Sequence, residues 1–151
     1  MSGIYFDEAQ IGKEIKHSVT RTVTDVDNTL FSCLTHNNQP LHLDAEYAKK
    51  TEFGQRVLNS MYTASFGVGV SVDDTTLGTL VANLGFKEMN FPKPVFLGDT
   101  LRTVTVIKEK RESKSRPNAG IITFEHQVWN QRNEMVCSII RVAMLKKRPA
   151  E

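Results

Sequence analysis

One stretch limits the possible folds more than any other: Val57-Leu58-Asn59-Ser60-Met61-Tyr62-Thr63-Ala64-Ser65-Phe66-Gly67-Val68-Gly69-Val70-Ser71-Val72. It is apolar and carries no turn signal, and it is too long for an ordinary strand. A helix is therefore expected, although Gly67 and Gly69 each lower helix propensity by about 1 kcal/mol. Asn59 or Ser60 can cap its start. A helix that is apolar nearly all round belongs in a protein interior. Its small residues, Ala64, Ser65, Gly67 and Gly69, permit close approach of other backbones. The rest of the chain must then enclose it.

The flanking segments read mostly as strands. From Glu14 to Thr24 polar and β-branched residues alternate, with Ile15, His17, Val19, Arg21 and Val23 on one face. His17 and Arg21 are expected on a solvated edge. After the helix, Leu77 to Phe91 ends at Pro92 and Pro94, and Leu101 to Lys110 alternates. Ile121 to Asn130 and Met135 to Leu145 flank a polar hairpin turn, Asn130 to Asn133. Thr24 caps a short helix reaching about Leu34, with Asp25 and Asp27 in its first turn and Val26, Leu30, Phe31 and Leu34 at helical spacing. Pro40 is expected to exclude helix. Asp44 caps another short helix over 45–50, with Tyr47 and Ala48 inward. The sum is an α+β domain over 1–151, an antiparallel sheet curled around a buried central helix. Open sheet edges need covering, and dimerisation covers them economically.

Bulk properties narrow the function. A length of 151 residues suits one domain with a real core. The net charge of +2, 19 basic minus 17 acidic residues, shows no basic excess for nucleic acid. No apolar run approaches the ~18 residues that span a bilayer. The first eight residues lack a signal pattern, and Pro149-Ala150-Glu151 matches no address tag. Cys33 and Cys137 are expected as small buried hydrophobes, and their scarcity suits a reducing compartment. The expectation is a cytoplasmic enzyme or binding protein. Lys146-Lys147-Arg148 is expected to be a solvated tail.

Thr35-His36-Asn37-Asn38-Gln39-Pro40-Leu41-His42-Leu43-Asp44 concentrates the polar chemistry. An imidazole, with a reference pKa of ~6.5, can both take and give a proton near neutrality. His42 is the candidate, with Pro40 fixing the backbone before it; a purely loop-bonding role is the alternative. Asn37 can orient a water or a carbonyl but exchanges no proton, and ordinary turn chemistry explains it equally. His36 is expected to face solvent. No metal site is expected, because His36 and His42 straddle a proline without a third ligand nearby. Amides of Ser60 and Met61 at the start of the central helix can stabilise an oxyanion. Arg111, Lys114 and Arg116 lie in a basic turn, either merely solvated or a landing for an anionic cofactor phosphate. There is no Walker, dinucleotide or Gly-x-Ser-x-Gly motif.

Pro40-Leu41-His42-Leu43-Asp44, Gly54, Val57-Leu58-Asn59-Ser60-Met61 and Phe91-Pro92-Lys93-Pro94-Val95-Phe96-Leu97-Gly98-Asp99-Thr100 together resemble the MaoC-like dehydratase family. The resemblance runs from Phe6 to Lys147. It implies a hot-dog fold, usually dimeric, and acyl-CoA substrates with (R)-specific enoyl-CoA hydratase chemistry. No cofactor is implied beyond the coenzyme A of the substrate. By resemblance, His42 and Asn37 are catalytic, while Gly54, Ser60, Met61 and Ser65 contact substrate. Two departures stand out. The family usually has aspartate where Asn37 stands, and His-Gly where Asn59-Ser60 stand. Asn37 resembles the branch of mesaconyl-CoA and β-methylmalyl-CoA hydratases.

Three functions therefore compete. A hydratase would use His42 as base and then acid, with Asn37 orienting water. A thioesterase would need a carboxylate near the central helix, and Asp73 and Asp74 fall at its far end. A non-catalytic acyl-CoA-binding or regulatory protein would explain the missing aspartate.

Overall fold

Five antiparallel strands make one sheet in this computed structural model, which describes residues 3–149. They are β1 (Glu14–Thr22), β2 (Leu80–Asn90), β3 (Thr100–Glu112), β4 (Ala119–Trp129) and β5 (Met135–Lys146), in the spatial order β1-β3-β4-β5-β2. Met1, Ser2, Ala150 and Glu151, part of the termini searched above for targeting signals, lie outside the described residues. Four helices fill the long connection from β1 to β2: α1 (Asp25–Leu34), α2 (Pro40–Leu43), α3 (Ala45–Ala48) and α4 (Ser60–Thr75). The sheet packs against α4, which is the hot-dog arrangement.

The stripe of α4 that meets the sheet is made of small residues. Thr63, Ala64, Gly67, Ser71 and Thr75 are buried. A Cβ on Gly67 would come 2.6 Å from Val128 Cγ2, so a larger residue there would hold the helix off β4. Leu58, Ala64, Leu101, Val128, Val136 and Ile139 form one apolar core cluster. Phe6, Ile107, Ile122, Phe124 and Leu145 form another toward the far end of the sheet. Capping follows local chemistry: Asn59 Oδ1 accepts the Met61 N–H at 3.0 Å, and Asp44 Oδ1 accepts that of Tyr47 at 3.0 Å.

Several expectations are corrected. Val26, Leu30 and Leu34 are 70%, 56% and 72% exposed, so α1 turns its apolar stripe outward. It buries Asn28 and Ser32 instead, because its inner face meets backbone polar groups rather than side-chain core. Pro40 begins α2 rather than excluding helix, since N1 requires no amide donor. Tyr47 is exposed, and only Ala48 of that pair turns inward. α4 leaves Met61, Ser65, Gly69 and Asp73 exposed, so it is covered on one side only. His17 is buried because β1 passes under the C-terminal half of α4; its Nδ1 lies 2.7 Å from Asp74 Oδ2, its Nε2 2.8 Å from Thr105 Oγ1. Cys33 is exposed on α1, whereas Cys137 is buried. The segment after β5 is tied down: Lys147 pairs with Glu112 at 2.5 Å, and Arg148 with Glu8.

Candidate active site

The site grows from a polar joint between α1, α2 and the start of α4. Asn28 is fully buried. Its Nδ2 donates to the carbonyl oxygens of His42, at 2.9 Å, and Val57, at 3.4 Å. Its Oδ1 accepts the Asn59 N–H at 2.9 Å. Asn59 in turn donates from Nδ2 to Ser32 Oγ at 3.1 Å. Buried polar groups are stable only when paired, and this chain of amides pairs them across three elements.

His42 sits on α2 with Nδ1 2.8 Å from the Val57 carbonyl oxygen. A carbonyl can only accept, so Nδ1 carries the proton and the neutral ring has its lone pair on Nε2. His42 and Ser60 line the same cavity of about 280 Å³, along with Phe53, Phe91, Lys93 and Val136. The first turn of α4, whose Ser60 lines the cavity, leaves one amide free. The N–H groups of Tyr62 and Thr63 bond to the Asn59 carbonyl, and that of Met61 to Asn59 Oδ1. The Ser60 N–H remains without a protein acceptor among the described residues, at the positive end of the helix dipole. Among the described residues no carboxylate lines the cavity. Its one charged side chain, Lys93, reaches Glu134 at 2.7 Å.

The structure brings together some of the expected residues and separates others. Met61 and Ser65 line a neighbouring groove of about 370 Å³ between α4 and β2, beside Val68, Phe86 and Met89. The Met61 amide is taken up by its cap, which leaves the Ser60 amide as the free donor of the pair. Gly54 makes a turn at φ +67°, a conformation that favours glycine, and lines a separate cavity of about 190 Å³. Asn37 is half-buried; its Oδ1 accepts the Gln39 N–H at 3.2 Å, and it does not line the His42 cavity. His36 is exposed. Arg111, Lys114 and Arg116 lie around the β3–β4 turn, at the opposite end of β4 from the His42 cavity. Ten residues of strand separate those ends, about 33 Å. Among the described residues no group of three metal-ligating side chains forms.

Sequence reasoning missed Asn28 and Ser32. Their four-residue spacing on α1 was a readable signal, since it sets a polar stripe against the apolar one. Apolar residues usually face inward, and the stripe of Val26, Leu30 and Leu34 masks that signal. His126 was missed as well. It is buried on β4, its Nδ1 2.9 Å from Thr105 Oγ1, with Nε2 unpartnered. Burial, then the nearby charges of Arg141 and His17, push its imidazole down to about 3.

The family profile described as "MaoC like domain" matches residues 7–130. The mesaconyl-CoA hydratase of Cereibacter sphaeroides is 31% identical over 147 residues, covering 97% of this chain and 42% of that protein. The chain thus spans about two-fifths of the length of that relative. The (R)-specific enoyl-CoA hydratase of Rhodospirillum rubrum is 32% identical over 107 residues, covering 68% of this chain and 69% of the relative. A crystal structure described as a monoamine oxidase regulatory protein from Archaeoglobus fulgius is 35% identical and covers 97% of both chains, with a TM-score of 0.88. A profile match of that extent, on a hot-dog sheet that carries the Pro40-to-Asp44 segment, makes this chain a member of the MaoC-like dehydratase family.

Proposed function

We propose that the protein is a hydratase/dehydratase that adds water to, or removes it from, the 2,3-position of a short or branched acyl-CoA. The observation that carries this reading is the His42–Val57 hydrogen bond, which commits Nδ1 as a donor and leaves Nε2 as the base of a residue lining a cavity at the start of α4. The thioester oxygen accepts the Ser60 N–H. Nε2 takes a proton from water as the oxygen attacks C3, and negative charge moves to the thioester oxygen. The imidazolium then returns a proton to C2, and dehydration runs the same steps backward. Asn37 lies outside that cavity, so its part in orienting the water requires the turn before α2 to close on bound substrate; with Oδ1 engaged by Gln39, its Nδ2 is the group left for that task. The mesaconyl-CoA hydratase relative supports a branched substrate. The lack of a carboxylate in the lining among the described residues favours this reading over a thioesterase.

The test is a panel of enoyl-CoA and 3-hydroxyacyl-CoA thioesters, followed by loss or gain of the conjugated thioester absorbance. Crotonyl- or mesaconyl-CoA should be hydrated, with His42→Ala losing most of the rate. No turnover across the panel refutes the proposal, and free thiol release would point to a thioesterase. Asn37→Asp separates enzyme from binder: a change of rate in an already active wild type marks an enzyme. Activity that appears only in the variant marks the natural chain as an acyl-CoA-binding protein.

The same reading includes a homodimer or a higher homo-oligomer. Among the described residues strand β2 pairs only with β5, and Leu80, Leu84 and Phe86 on this edge strand are exposed. An uncovered apolar edge invites a second strand, and a second copy supplies it. Sedimentation of the purified chain should give at least twice the 17.0 kDa protomer mass; a monomer at micromolar concentration refutes this part.

A further inference from the structure

We infer that Asn28 is a positioning residue for His42: it holds the imidazole in its Nδ1–H form and locks the catalytic segment to the start of α4. Its effect on rate rests on the hydratase reading above; its effect on the resting imidazole does not.

The geometry converges on one oxygen. The Val57 carbonyl accepts His42 Nδ1–H at 2.8 Å and Asn28 Nδ2–H at 3.4 Å, so its two lone pairs are both engaged. The other Nδ2 proton holds the His42 carbonyl at 2.9 Å. Asn28 therefore grips the backbone of His42 and the acceptor of its ring with one planar group. The Oδ1 of that amide accepts the Asn59 N–H, just ahead of the Ser60 amide assigned to the thioester oxygen. Base and oxyanion donor are thus set relative to each other by a side chain that touches neither substrate nor reacting atoms. Only an amide fits. Two donors are needed toward two carbonyls, and one acceptor toward an N–H. Aspartate would turn an oxygen toward two carbonyl oxygens, and leucine would leave both carbonyls short of a donor in a buried place. Asn28 is fully buried, so water cannot stand in for it.

The experiment reads the imidazole directly. In ¹⁵N-labelled wild-type protein at about pH 8.5, where a free imidazole of pKa ~6.5 is neutral, His42 should show one tautomer, protonated at Nδ1. Its Nδ1–H proton should give a nuclear Overhauser contact to the Asn28 side-chain amide. In Asn28→Leu, and in Asn28→Ser should the leucine variant not fold, the ring should show both tautomers in exchange. With an active acyl-CoA substrate, kcat should fall about 10²-fold while KM stays within about threefold, as expected when a reacting group is misplaced with binding intact. Absence of the contact in wild type overturns the inference, as does a folded variant with an unchanged tautomer and unchanged kcat. Absence of turnover in wild type defeats the hydratase reading instead, and leaves the tautomer result to decide on Asn28.

Discussion

Lowering the pH from 7 to 5 should weaken the fold by an amount traceable to His126. The imidazole is buried between β3 and β5 with Phe124 stacked beside it, ring centroids 5.8 Å apart. One ring nitrogen meets Thr105, and the other has no partner among the described residues. Burial, with the charges of Arg141 and His17 added, holds the group down to about 3, against ~6.5 in an unfolded chain. Below the unfolded value the unfolded chain takes up a proton that the folded one refuses. Stability is therefore complete above ~6.5 and is lost as the pH falls from there toward 3, at up to about 1.4 kcal/mol per unit. Between pH 7 and 5 the loss is about 2 kcal/mol. Glu134, held down to about 2 by Asn130, Lys93 and Arg132, loses its contribution only at lower pH, below its unfolded value, so it adds little in this window. The assay is urea unfolding at one protein concentration, followed by the fluorescence of Trp129, the chain's one tryptophan. Wild type should lose about 2 kcal/mol more than His126→Gln between the two pH values. Equal losses in the two proteins would refute the assignment of acid sensitivity to this buried ring.

Other outcomes follow from packing and exposure. Gly67→Ala gains about 1 kcal/mol of helix propensity but meets Val128 Cγ2 at 2.6 Å. An overpacking cost of about 1–3 kcal/mol outweighs the gain, so the melting temperature should fall. Gly69→Ala, with no atom within 4 Å of its new Cβ, should raise it by the propensity term alone. A thiol reagent should label Cys33 in the native protein and reach Cys137, whose thiol burial pushes up to about 12, only after unfolding. Asp99 bonds to Gln131 at 2.8 Å, Arg132 at 2.9 Å and the Phe96 N–H at 2.9 Å. Asp99→Ala should cost about 2–3 kcal/mol by urea unfolding.

The parts legible in the sequence were those governed by neighbours a few residues away. Alternation marked β1, β3, β4 and β5, because side chains on a strand change faces at every residue. The unbroken apolar run marked α4, and Thr24, Asp44 and Asn59 marked helix starts through bonds to amides two or three residues on. The density of polar groups around Pro40 singled out His42. Tertiary structure decided what those elements face. Composition alone cannot say that α1 shows Leu30 to solvent and Asn28 to the interior, because the partners of Asn28 stand 14 and 29 residues away. His17 reads as an edge residue until β1 passes beneath α4, where its partners are 57 and 88 residues distant. Even the proton on His42 follows from a carbonyl 15 residues on. Local sequence sets the conformation a segment prefers; a buried polar side chain takes its role from whatever the fold brings within hydrogen-bond reach.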